Sequence, residues 1–470
     1  MIRLPALAPL LLAASLVFSV TVARAEVSIS IDPGQRFQTI RGWETSDRVW
    51  ETDKKANRFD GSWIPQADRI AAALVTEVGI NNLRLHLASG SENPRDSWRD
   101  FIDGRLSYTD HRNTLYEVVN DNDDPTVINP AGFVFTGLDL HVDHVMLPMQ
   151  RALAAQGERL FVTLTFVDFN WTDGRTVLAL GENPAEYGEL ILATFRHLDI
   201  TYGFVPDALE MILEPENTDH WNGRAIGEAI VAVTDRLATA GYRPQIIAPS
   251  TTWAERAVPY MEDVASVPGA ADRVDMLAYH RYGRFSSAAL PAIAGMARQM
   301  GLQTAMLEFT DGDIDMLIED LTVANVSAWQ KYGVARKVSD GKPGTSASYY
   351  LDAMFKGDQI EGIALPLNTR MLAVVFRAWR AGAVRINAVS DDRDIAVLAA
   401  LRPEGGIATI LRVRDKTDAQ LSGLADGPYT LSGVTDRGQA VGAQEVAVSG
   451  GGVTLFDLPE GVYSLIPDGG

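Results

Sequence analysis

The feature that most constrains this chain is a regular alternation of short apolar runs with helical patterns over most of its 470 residues. Counted from Thr39, eight apolar runs typical of buried strands are separated by stretches in which apolar residues recur every three or four positions. Strands and helices that alternate in this way form parallel sheets, and eight such units close a barrel. The sequence therefore predicts an α/β fold, a (β/α)8 (TIM) barrel, over residues 39–372.

The later units of the predicted barrel are the most regular ones. From residue 138 the pattern predicts helix and strand pairs at 138–156 and 160–166, 185–197 and 208–213, 225–240 and 245–248, 258–267 and 274–278, 288–300 and 304–307, and 314–321 and 325–329, with a last helix at 346–356.

A second pattern begins near Arg377, where short alternating runs are separated by glycine and proline turns. Such runs are typical of an antiparallel β-sandwich, which we assign to residues 373–470. The segment Val27-Ser28-Ile29-Ser30-Ile31 alternates in the same way before the barrel begins. We therefore expect residues 26–38 to join the sandwich and to tie the two ends of the chain together.

Residues 1–25 have the pattern of a secretory signal peptide. Arg3 precedes an apolar stretch from Leu7 to Val20, and Ala23-Arg24-Ala25 fits a cleavage site after Ala25. The alternative is a retained membrane anchor, but the apolar run is short and contains a proline. We expect a secreted or periplasmic protein that is not inserted in the membrane once the signal is removed.

Composition excludes several classes of function. The chain has no cysteine, so disulfides, thiolate metal sites and cysteine nucleophiles are ruled out. Its formal net charge of -20 disfavours nucleic acid and anionic membrane surfaces as partners.

Two glutamates follow predicted strands of the barrel. Glu214 follows the apolar run Met211-Ile212-Leu213 and precedes a proline, and Glu308 follows Thr304-Ala305-Met306-Leu307. They end the fourth and seventh predicted strands, so both face the C-terminal mouth, where barrel enzymes carry their sites. Two carboxyl groups about 5 Å apart are what a retaining glycosidase needs, although either glutamate alone could be a salt-bridge partner at the rim.

At these residues the chain resembles the clan of (β/α)8 retaining glycoside hydrolases, and within it glycoside hydrolase family 30, which includes glucosylceramidase-like enzymes, xylanases and endo-β-1,6-galactanases. The resemblance covers nearly the whole chain after the leader, although its motifs are short. The matching segments are Gln38 to Trp43, Asn82-Leu83-Arg84-Leu85, Glu214-Pro215, Trp221, His280-Arg281-Tyr282, Leu307-Glu308 and Phe376 to Ile386.

The resemblance implies roles for these residues. Glu214 would be the acid/base and Glu308 the nucleophile, with Arg84 orienting Glu308 and with His280 and Tyr282 in support. Independently of the family, Arg84 lies among apolar strand residues, and a buried cation needs a partner, either a carboxylate at the mouth or a structural aspartate. Tyr282 could hold Glu308 ionised by a hydrogen bond, or could merely pack.

One position departs from the pattern. The clan usually has asparagine before the acid/base, where its amide holds the sugar 2-hydroxyl, and here that residue is Leu213. Either Asn217 substitutes for it or the substrate lacks this contact. Glu216 is an alternative acid/base, but Glu214 is favoured because the family's glutamate is the one followed by proline.

Further residues at the mouth are candidates for sugar binding, because aromatic faces stack on sugar rings and carboxylates accept from hydroxyls. Any one of these tryptophans could equally be a core residue. The candidates are Trp43, Asp168, Trp171, Trp221, Trp253 and Trp329.

Other chemistries are disfavoured. His141 and His144 lie on one helix, where we expect surface or packing roles rather than a metal site, and no cofactor fingerprint occurs. The sequence thus predicts an exported retaining β-glycosidase with a carbohydrate substrate and neither metal nor cofactor. The rival hypothesis is a barrel that has lost turnover and only binds glycans.

Overall fold

The computed structural model describes residues 27–169, 178–283, 285–338, 344–357 and 359–468. The predicted leader at 1–25 and the candidate Trp171 lie outside these residues. The described strands are β1 (Val27–Thr39), β2 (Gly42–Ser46), β3 (Thr52–Asp53), β4 (Arg58–Phe59), β5 (Asn82–Ala88), β6 (Phe161–Val167), β7 (Ala208–Glu210), β8 (Gln245–Thr251), β9 (Met276–His280), β10 (Gln303–Glu308), β11 (Val326–Val338), β12 (Tyr349–Lys356), β13 (Gln359–Ala364), β14 (Val384–Ser390), β15 (Ile395–Leu401), β16 (Ile407–Val413), β17 (Thr417–Ser422), β18 (Gly427–Thr435), β19 (Ala440–Val448), β20 (Gly452–Leu458) and β21 (Gly461–Pro467).

The described helices lie mainly between the strands of the barrel. In three places a π-helical turn continues an α-helix, at Leu74–Val78, Val142–Met146 and Asp320–Ala324. The α-helices are α1 (Ala67–Ala73), α2 (Ser97–Ile102), α3 (Tyr108–Thr114), α4 (Thr136–His141), α5 (Leu147–Ala154), α6 (Pro184–Tyr202), α7 (Gly223–Thr239), α8 (Ala254–Ala265), α9 (Ala289–Met300), α10 (Ile314–Glu319) and α11 (Leu367–Ala378).

Local sequence explains where the outer helices begin and end. Asn222 precedes α7, and its side-chain oxygen accepts a hydrogen bond from the Ala225 amide at 3.1 Å, which satisfies one of the unpaired amides of the first turn. Gly203 ends α6 with a φ of 69°, a left-handed conformation that glycine adopts without a steric penalty. Caps of this kind fix helix length and therefore the position of each following strand end.

Eight parallel strands close the barrel. The strands β2 and β5 to β11 pair in sequence order, and β11 returns to β2 through the pairs Ala328 with Gly42 and Trp329 with Trp43. Apolar residues from these strands and from the surrounding helices form the largest buried cluster. The predicted barrel is confirmed, and its strand C-termini meet at one mouth.

The helix predicted at 346–356 is wrong. Residues Tyr349–Lys356 form β12, which pairs parallel with the far end of β11 and antiparallel with β13. The long β11 extends beyond the barrel and offers unpaired backbone groups there, and a segment rich in tyrosine and other strand-favouring residues completes that ladder. Helix α11 follows β13 and takes the place of the eighth helix on the outside of the barrel.

The remaining strands form a mostly antiparallel sheet of nine strands in the order β19-β18-β21-β16-β15-β14-β1-β17-β20. This confirms a barrel with an appended β-sandwich. The N-terminal β1 lies inside this sheet, antiparallel to β14 and parallel to β17. Val27, Ile29 and Ile31 of β1 face the sandwich core, so the two ends of the chain lie in one sheet.

None of the helices that the structure describes has the length and apolar character required to cross a bilayer.

Replacing Ile29 by alanine tests how strongly β1 holds the sandwich together. Ile29 is fully buried in the sandwich core, and removing its side chain leaves a cavity, so we expect a loss of about 2–5 kcal/mol in the free energy of unfolding. Denaturant unfolding followed by circular dichroism measures this loss. The matched control is Ser30→Ala, because Ser30 lies on the same strand with its side chain exposed. An equal effect of both substitutions would contradict the packing described.

Candidate active site

The sequence places five polar side chains at or near the C-terminal ends of neighbouring barrel strands. Glu308 and His280 are the last residues of β10 and β9, and Tyr282 follows two positions after β9. Arg84 lies in the middle of β5, and Glu214 lies just beyond β7. Because parallel strands end at the same edge, these residues share one mouth.

The two predicted carboxylates face each other. One carboxylate oxygen of Glu214, one of Glu308 and a ring nitrogen of His280 all lie within 4.8 Å of one another. Both glutamates line the same cavity, which has a volume of about 660 Å³. The structure thus brings together two acids that lie far apart in the sequence.

Glu308 is surrounded by donors. Nη2 of Arg84 donates to its Oε2, and the Tyr282 hydroxyl donates to its Oε1 at 3.0 Å. Donors to both oxygens, one of them a cation, stabilise the ionised carboxylate. The predicted partnership of Arg84 and Tyr282 with Glu308 is therefore present in the structure.

Arg84 is itself fully buried and needs more than one partner. Its Nη1 lies 3.6 Å from Oε1 of Glu210, a carboxylate that also accepts hydrogen bonds from Thr165 and Ser250. Although burial alone lowers the pKa of Arg84, Glu210 and Glu308 raise it above its ordinary value. The guanidinium therefore stays charged and holds Glu308 at the mouth.

Glu214 has a different environment. His280 Nδ1 lies 3.0 Å from its Oε1, and the Asn217 amide donates to its Oε2 at 2.7 Å. Arg84 can only donate, and it lies 3.5 Å from His280 Nε2, so Nδ1 carries the hydrogen that points to Glu214. Burial raises the pKa of Glu214 to about 7, against the lowering influence of Arg84 and Asn217. Near neutral pH this carboxyl holds a proton.

The backbone at Glu214 is also unusual, with a φ of 50°. Residues other than glycine rarely adopt this left-handed conformation, and where they do they cluster at functional sites. Glu214 stands immediately before Pro215, and its side chain lines the cavity.

Glu216, the alternative to Glu214, points elsewhere. Its Oε2 accepts hydrogen bonds from the Thr252 amide at 2.9 Å and from the Thr252 hydroxyl at 3.1 Å. Glu216 does not line the cavity that Glu214 and Glu308 share. The geometry therefore favours Glu214.

Two of the predicted sugar-binding tryptophans are core residues, which corrects the prediction. Trp43 is fully buried, stacks on Phe376 at 4.5 Å between ring centroids and donates to the Trp379 carbonyl. Trp329 is also fully buried and donates to Asp320 at 2.9 Å. Their side chains point toward the outer helices, and period-two alternation alone does not say which face of a barrel strand lies inward.

Asp168 and Trp221 also bond to protein groups. The indole of Trp221 donates to Oδ2 of Asp168 at 3.0 Å, and His220 Nε2 lies 2.7 Å from the same oxygen. Both predicted residues are buried and neither lines the shared cavity. This corrects the prediction that they contact the sugar directly.

Trp253 is 41% exposed, and its backbone forms a bridge with Arg281. Its role as a stacking residue stays a prediction.

Leu213 lines the cavity as part of an apolar wall. It belongs to a small buried cluster with Tyr116 and Val167, and all three line the cavity beside Glu214. Asn217 also lines the cavity, but its amide nitrogen is engaged with Glu214. The position that the clan fills with asparagine is therefore apolar here.

The same three donor atoms of Glu214, Glu308 and His280 are the group most similar to a metal site among the described residues. Arg84, a fixed cation, already bonds Glu308. A second cation at the same place would meet its repulsion.

Several residues that line the cavity were missed at the sequence level. Arg48 follows β2 and His86 lies on β5, two positions after Arg84. The signal that could have found them is position, because polar residues at the ends of barrel strands face the mouth. The aromatic residues of the cavity that were missed are Trp50, Trp98, Phe101, Tyr108, Tyr116, Phe169, Tyr332 and Tyr349.

Comparison with known proteins finds solved structures with a similar fold. No protein-family model and no curated protein matches the chain. Among solved structures, the catalytic domain of a GH30 xylanase C from Talaromyces cellulolyticus has a TM-score of 0.64 and 14% identity, covering 93% of this chain and 99% of that one. An endo-beta1,6-glucanase has a TM-score of 0.61 and 13% identity, with 95% and 96% covered. A monomeric beta-xylosidase from Caulobacter crescentus has a TM-score of 0.55 and 14% identity, with 95% and 100% covered.

These similarities extend over both the barrel and the sandwich. The fold is that of glycoside hydrolases of family 30, as the sequence motifs indicated.

Glu214→Gln tests the electrostatic description of the site. Folding takes the pKa of Glu214 from 4.5 to about 7, so the ionised group opposes folding and its cost appears as pH rises between these values. At pH 8 we expect the variant to be more stable than the wild type by an amount on the order of 3 kcal/mol. At pH 4 this gain should vanish, because the carboxyl is then protonated in both states.

Thermal unfolding at the two pH values measures the difference, with the exposed Glu77→Gln as the control. A Glu214→Gln variant that gains no stability at pH 8 would contradict the raised pKa.

Proposed function

We propose that this chain is a secreted retaining β-glycosidase that hydrolyses β-linked oligo- or polysaccharides with Glu214 as acid/base and Glu308 as nucleophile. The observation that carries the proposal is the pair of carboxylates at the barrel mouth, with oxygens within 4.8 Å of each other and unlike surroundings. Retaining enzymes hold their two carboxyl groups about 5–5.5 Å apart, whereas inverting enzymes leave about 6.5–9.5 Å for a water molecule.

The first step needs an ionised nucleophile and a protonated acid at the same pH. Arg84 and Tyr282 donate to Glu308 and favour its ionised form. Burial keeps Glu214 protonated up to a pH of about 7. In the proposed reaction Glu308 attacks the anomeric carbon while Glu214 protonates the leaving oxygen, and a glycosyl ester on Glu308 forms.

The second step reverses the role of Glu214. Once it has given up its proton, its carboxylate takes one from a water molecule, which attacks the anomeric carbon and releases Glu308. His280 supports both states, because its Nδ1–H can donate to Glu214 whether or not the latter is ionised. Burial lowers the pKa of His280 to about 4, so it remains neutral and adds no charge to the site.

The names of similar structures suggest where to begin a substrate screen. They are described as xylanases, an endo-beta1,6-glucanase and a beta-xylosidase. Together with the exported character expected from residues 1–25, this supports a screen of β-xylan, β-1,6-glucan and aryl β-glycosides.

A rival function, binding of glycans without turnover, predicts carboxyl groups more than about 7 Å apart or one glutamate turned into a salt bridge. The ion pair of Glu308 with Arg84 leaves Glu308 on the cavity wall, facing Glu214. The distance between the two acids therefore favours hydrolysis.

Mechanism-based labelling tests the nucleophile. Incubation with a 2,4-dinitrophenyl 2-deoxy-2-fluoro-β-glycoside of the sugar identified by the screen should trap the intermediate, and peptide mass spectrometry should find the label on Glu308. We expect Glu308→Gln to lower kcat by about 10⁴–10⁶-fold without unfolding the protein. A label on any other residue would refute the assignment.

The pH dependence tests the acid. Because Glu214 must be protonated, kcat/KM for an oligosaccharide should fall as pH rises above about 7. A 2,4-dinitrophenyl glycoside needs no protonation of its leaving group, so Glu214→Ala should retain cleavage of that substrate, without the alkaline fall. Azide should then restore turnover of the variant and give a β-glycosyl azide. An α-azide would show that azide displaces the leaving group directly, as expected if Glu214 were the nucleophile, and would contradict the proposed roles.

A further inference from the structure

The cavity that holds Glu214 and Glu308 contains a second polar group, which the proposed reaction does not use. Arg48 and His86 line the same cavity. The barrel backbone holds both in place, since the Arg48 carbonyl accepts a hydrogen bond from the Val334 amide at 2.9 Å and His86 lies within β5, paired with Thr165 of β6. Their positions are therefore set by the barrel and not by a free loop.

The ring of His86 is fixed by Asp47. Nδ1 of His86 lies 2.6 Å from Oδ1 of Asp47, and the His86 backbone amide donates to Oδ2 at 2.9 Å. Although burial alone raises the pKa of Asp47, the neighbouring His86, His141 and Arg48 lower it overall, so Asp47 is an ionised acceptor. Nδ1 must then carry the hydrogen.

The other ring nitrogen of His86 is left as an acceptor. Burial lowers the pKa of His86 to about 4, so the imidazole is neutral near pH 7 and Nε2 has a free lone pair. No residue in the described ranges donates a hydrogen bond to this atom. The cavity therefore offers an acceptor of fixed orientation.

Arg48 provides donors beside it. Its guanidinium lies 3.8 Å from Asp47 Oδ1 and 3.9 Å from Glu51 Oε2, distances too long for hydrogen bonds. Its side chain is 23% exposed, and within the part of the chain that the structure describes it makes no side-chain hydrogen bond. Asp47 and Glu51 keep it charged and in place while its N–H groups remain available to a ligand.

His141 completes the charge balance. Its Nε2 lies 2.6 Å from Glu51 Oε1 and its Nδ1 lies 3.5 Å from Asp47 Oδ2. Burial lowers the pKa of His141, but the two carboxylates raise it overall. When His141 is protonated, it and Arg48 balance the charges of Asp47 and Glu51.

We propose that Arg48 and His86 form a subsite that binds hydroxyl groups of the sugar held between Glu214 and Glu308, with Arg48 as donor and His86 Nε2 as acceptor. This inference rests on the proposed function. The subsite would fix the orientation of the sugar between the two carboxyl groups. A hydroxyl can accept a hydrogen bond from Arg48 and donate one to His86 Nε2. Two adjacent hydroxyls of a pyranose can divide these two bonds between them. A carboxylate or sulfate only accepts, and it would meet the lone pair of His86 and the charges of Asp47 and Glu51.

The experiment compares substrates that lack one hydroxyl. The probes are 4-nitrophenyl β-D-xyloside, β-D-glucoside and β-D-galactoside, each with its monodeoxy analogues, and the proteins are the wild type, Arg48→Leu and His86→Phe. For a hydroxyl bound by a charged donor we expect one deoxy position to lower wild-type kcat/KM by about 10–100-fold. In Arg48→Leu the same deoxy change should cost less than about threefold, because the partner is already gone.

The control variant is Lys54→Leu, because Lys54 is an exposed cation that lines the same cavity. It should keep the full deoxy penalty, and Arg48→Lys should recover part of it. Should Arg48→Leu fail to fold, Arg48→Gln takes its place. Deoxy penalties that are the same in the wild type and in every Arg48 and His86 variant would overturn the subsite.

Two further measurements distinguish a hydroxyl subsite from a carboxylate subsite, and failure of the subsite from failure of the proposed function. If 4-nitrophenyl β-D-glucuronide is cleaved faster than the glucoside and this preference disappears in Arg48→Leu, Arg48 binds a carboxylate and the hydroxyl subsite is wrong. If the wild type cleaves neither these probes nor the polysaccharides of the substrate screen, the proposed function fails, and calorimetric titration of the same glycosides decides the subsite separately. Weaker binding to Arg48→Leu than to Lys54→Leu would support it, and equal binding would overturn it.

Discussion

The buried guanidinium of Arg84 is the interaction on which the arrangement of the mouth depends. It lies in the barrel interior between Glu308 and Glu210, and it has no contact with solvent. Removing one partner of such a buried pair typically costs about 3–5 kcal/mol, because the remaining charge is left without compensation. Glu210 is therefore as necessary to the charge balance of Arg84 as Glu308 is. Without Glu210, the cation that orients the nucleophile would lose one of its two carboxylate partners.

Arg84 also makes the environments of Glu214 and Glu308 different. Glu308 receives the ion pair directly, whereas Glu214 is reached by Arg84 only at longer range and faces a neutral imidazole and an amide. Burial then dominates at Glu214 and raises its pKa to about 7. Two chemically identical side chains thus have different surroundings, an ion pair at Glu308 and burial beside neutral donors at Glu214, and unlike surroundings are how paired carboxyl groups divide the work of acid and nucleophile.

The sequence predicted the barrel, the sandwich and the two carboxylates because each follows from a local pattern. Strand periodicity located Glu308 at a strand end, and the Glu214-Pro215 turn located its partner. The patterns could not tell which face of β2 and β11 lies inward, so Trp43 and Trp329 were assigned to the mouth although both pack in the core. They also could not separate a helix from a strand at residues 349–356, where the partner strand is supplied by another part of the chain. Arg48 and His86 were missed because their significance depends on Asp47, and the way these three meet is set by the tertiary fold.

The position of β1 in the middle of the sandwich sheet affects how the protein is made. Its neighbours β14 and β17 begin at residues 384 and 417, so the ribosome synthesises β1 first and its hydrogen-bonding partners last. Throughout elongation an apolar strand with two open edges has nothing native to pair with, a state prone to association with other chains. A polypeptide interrupted anywhere before residue 384 would retain that open strand, so translation has to continue past the entire barrel before β1 can pair with β14.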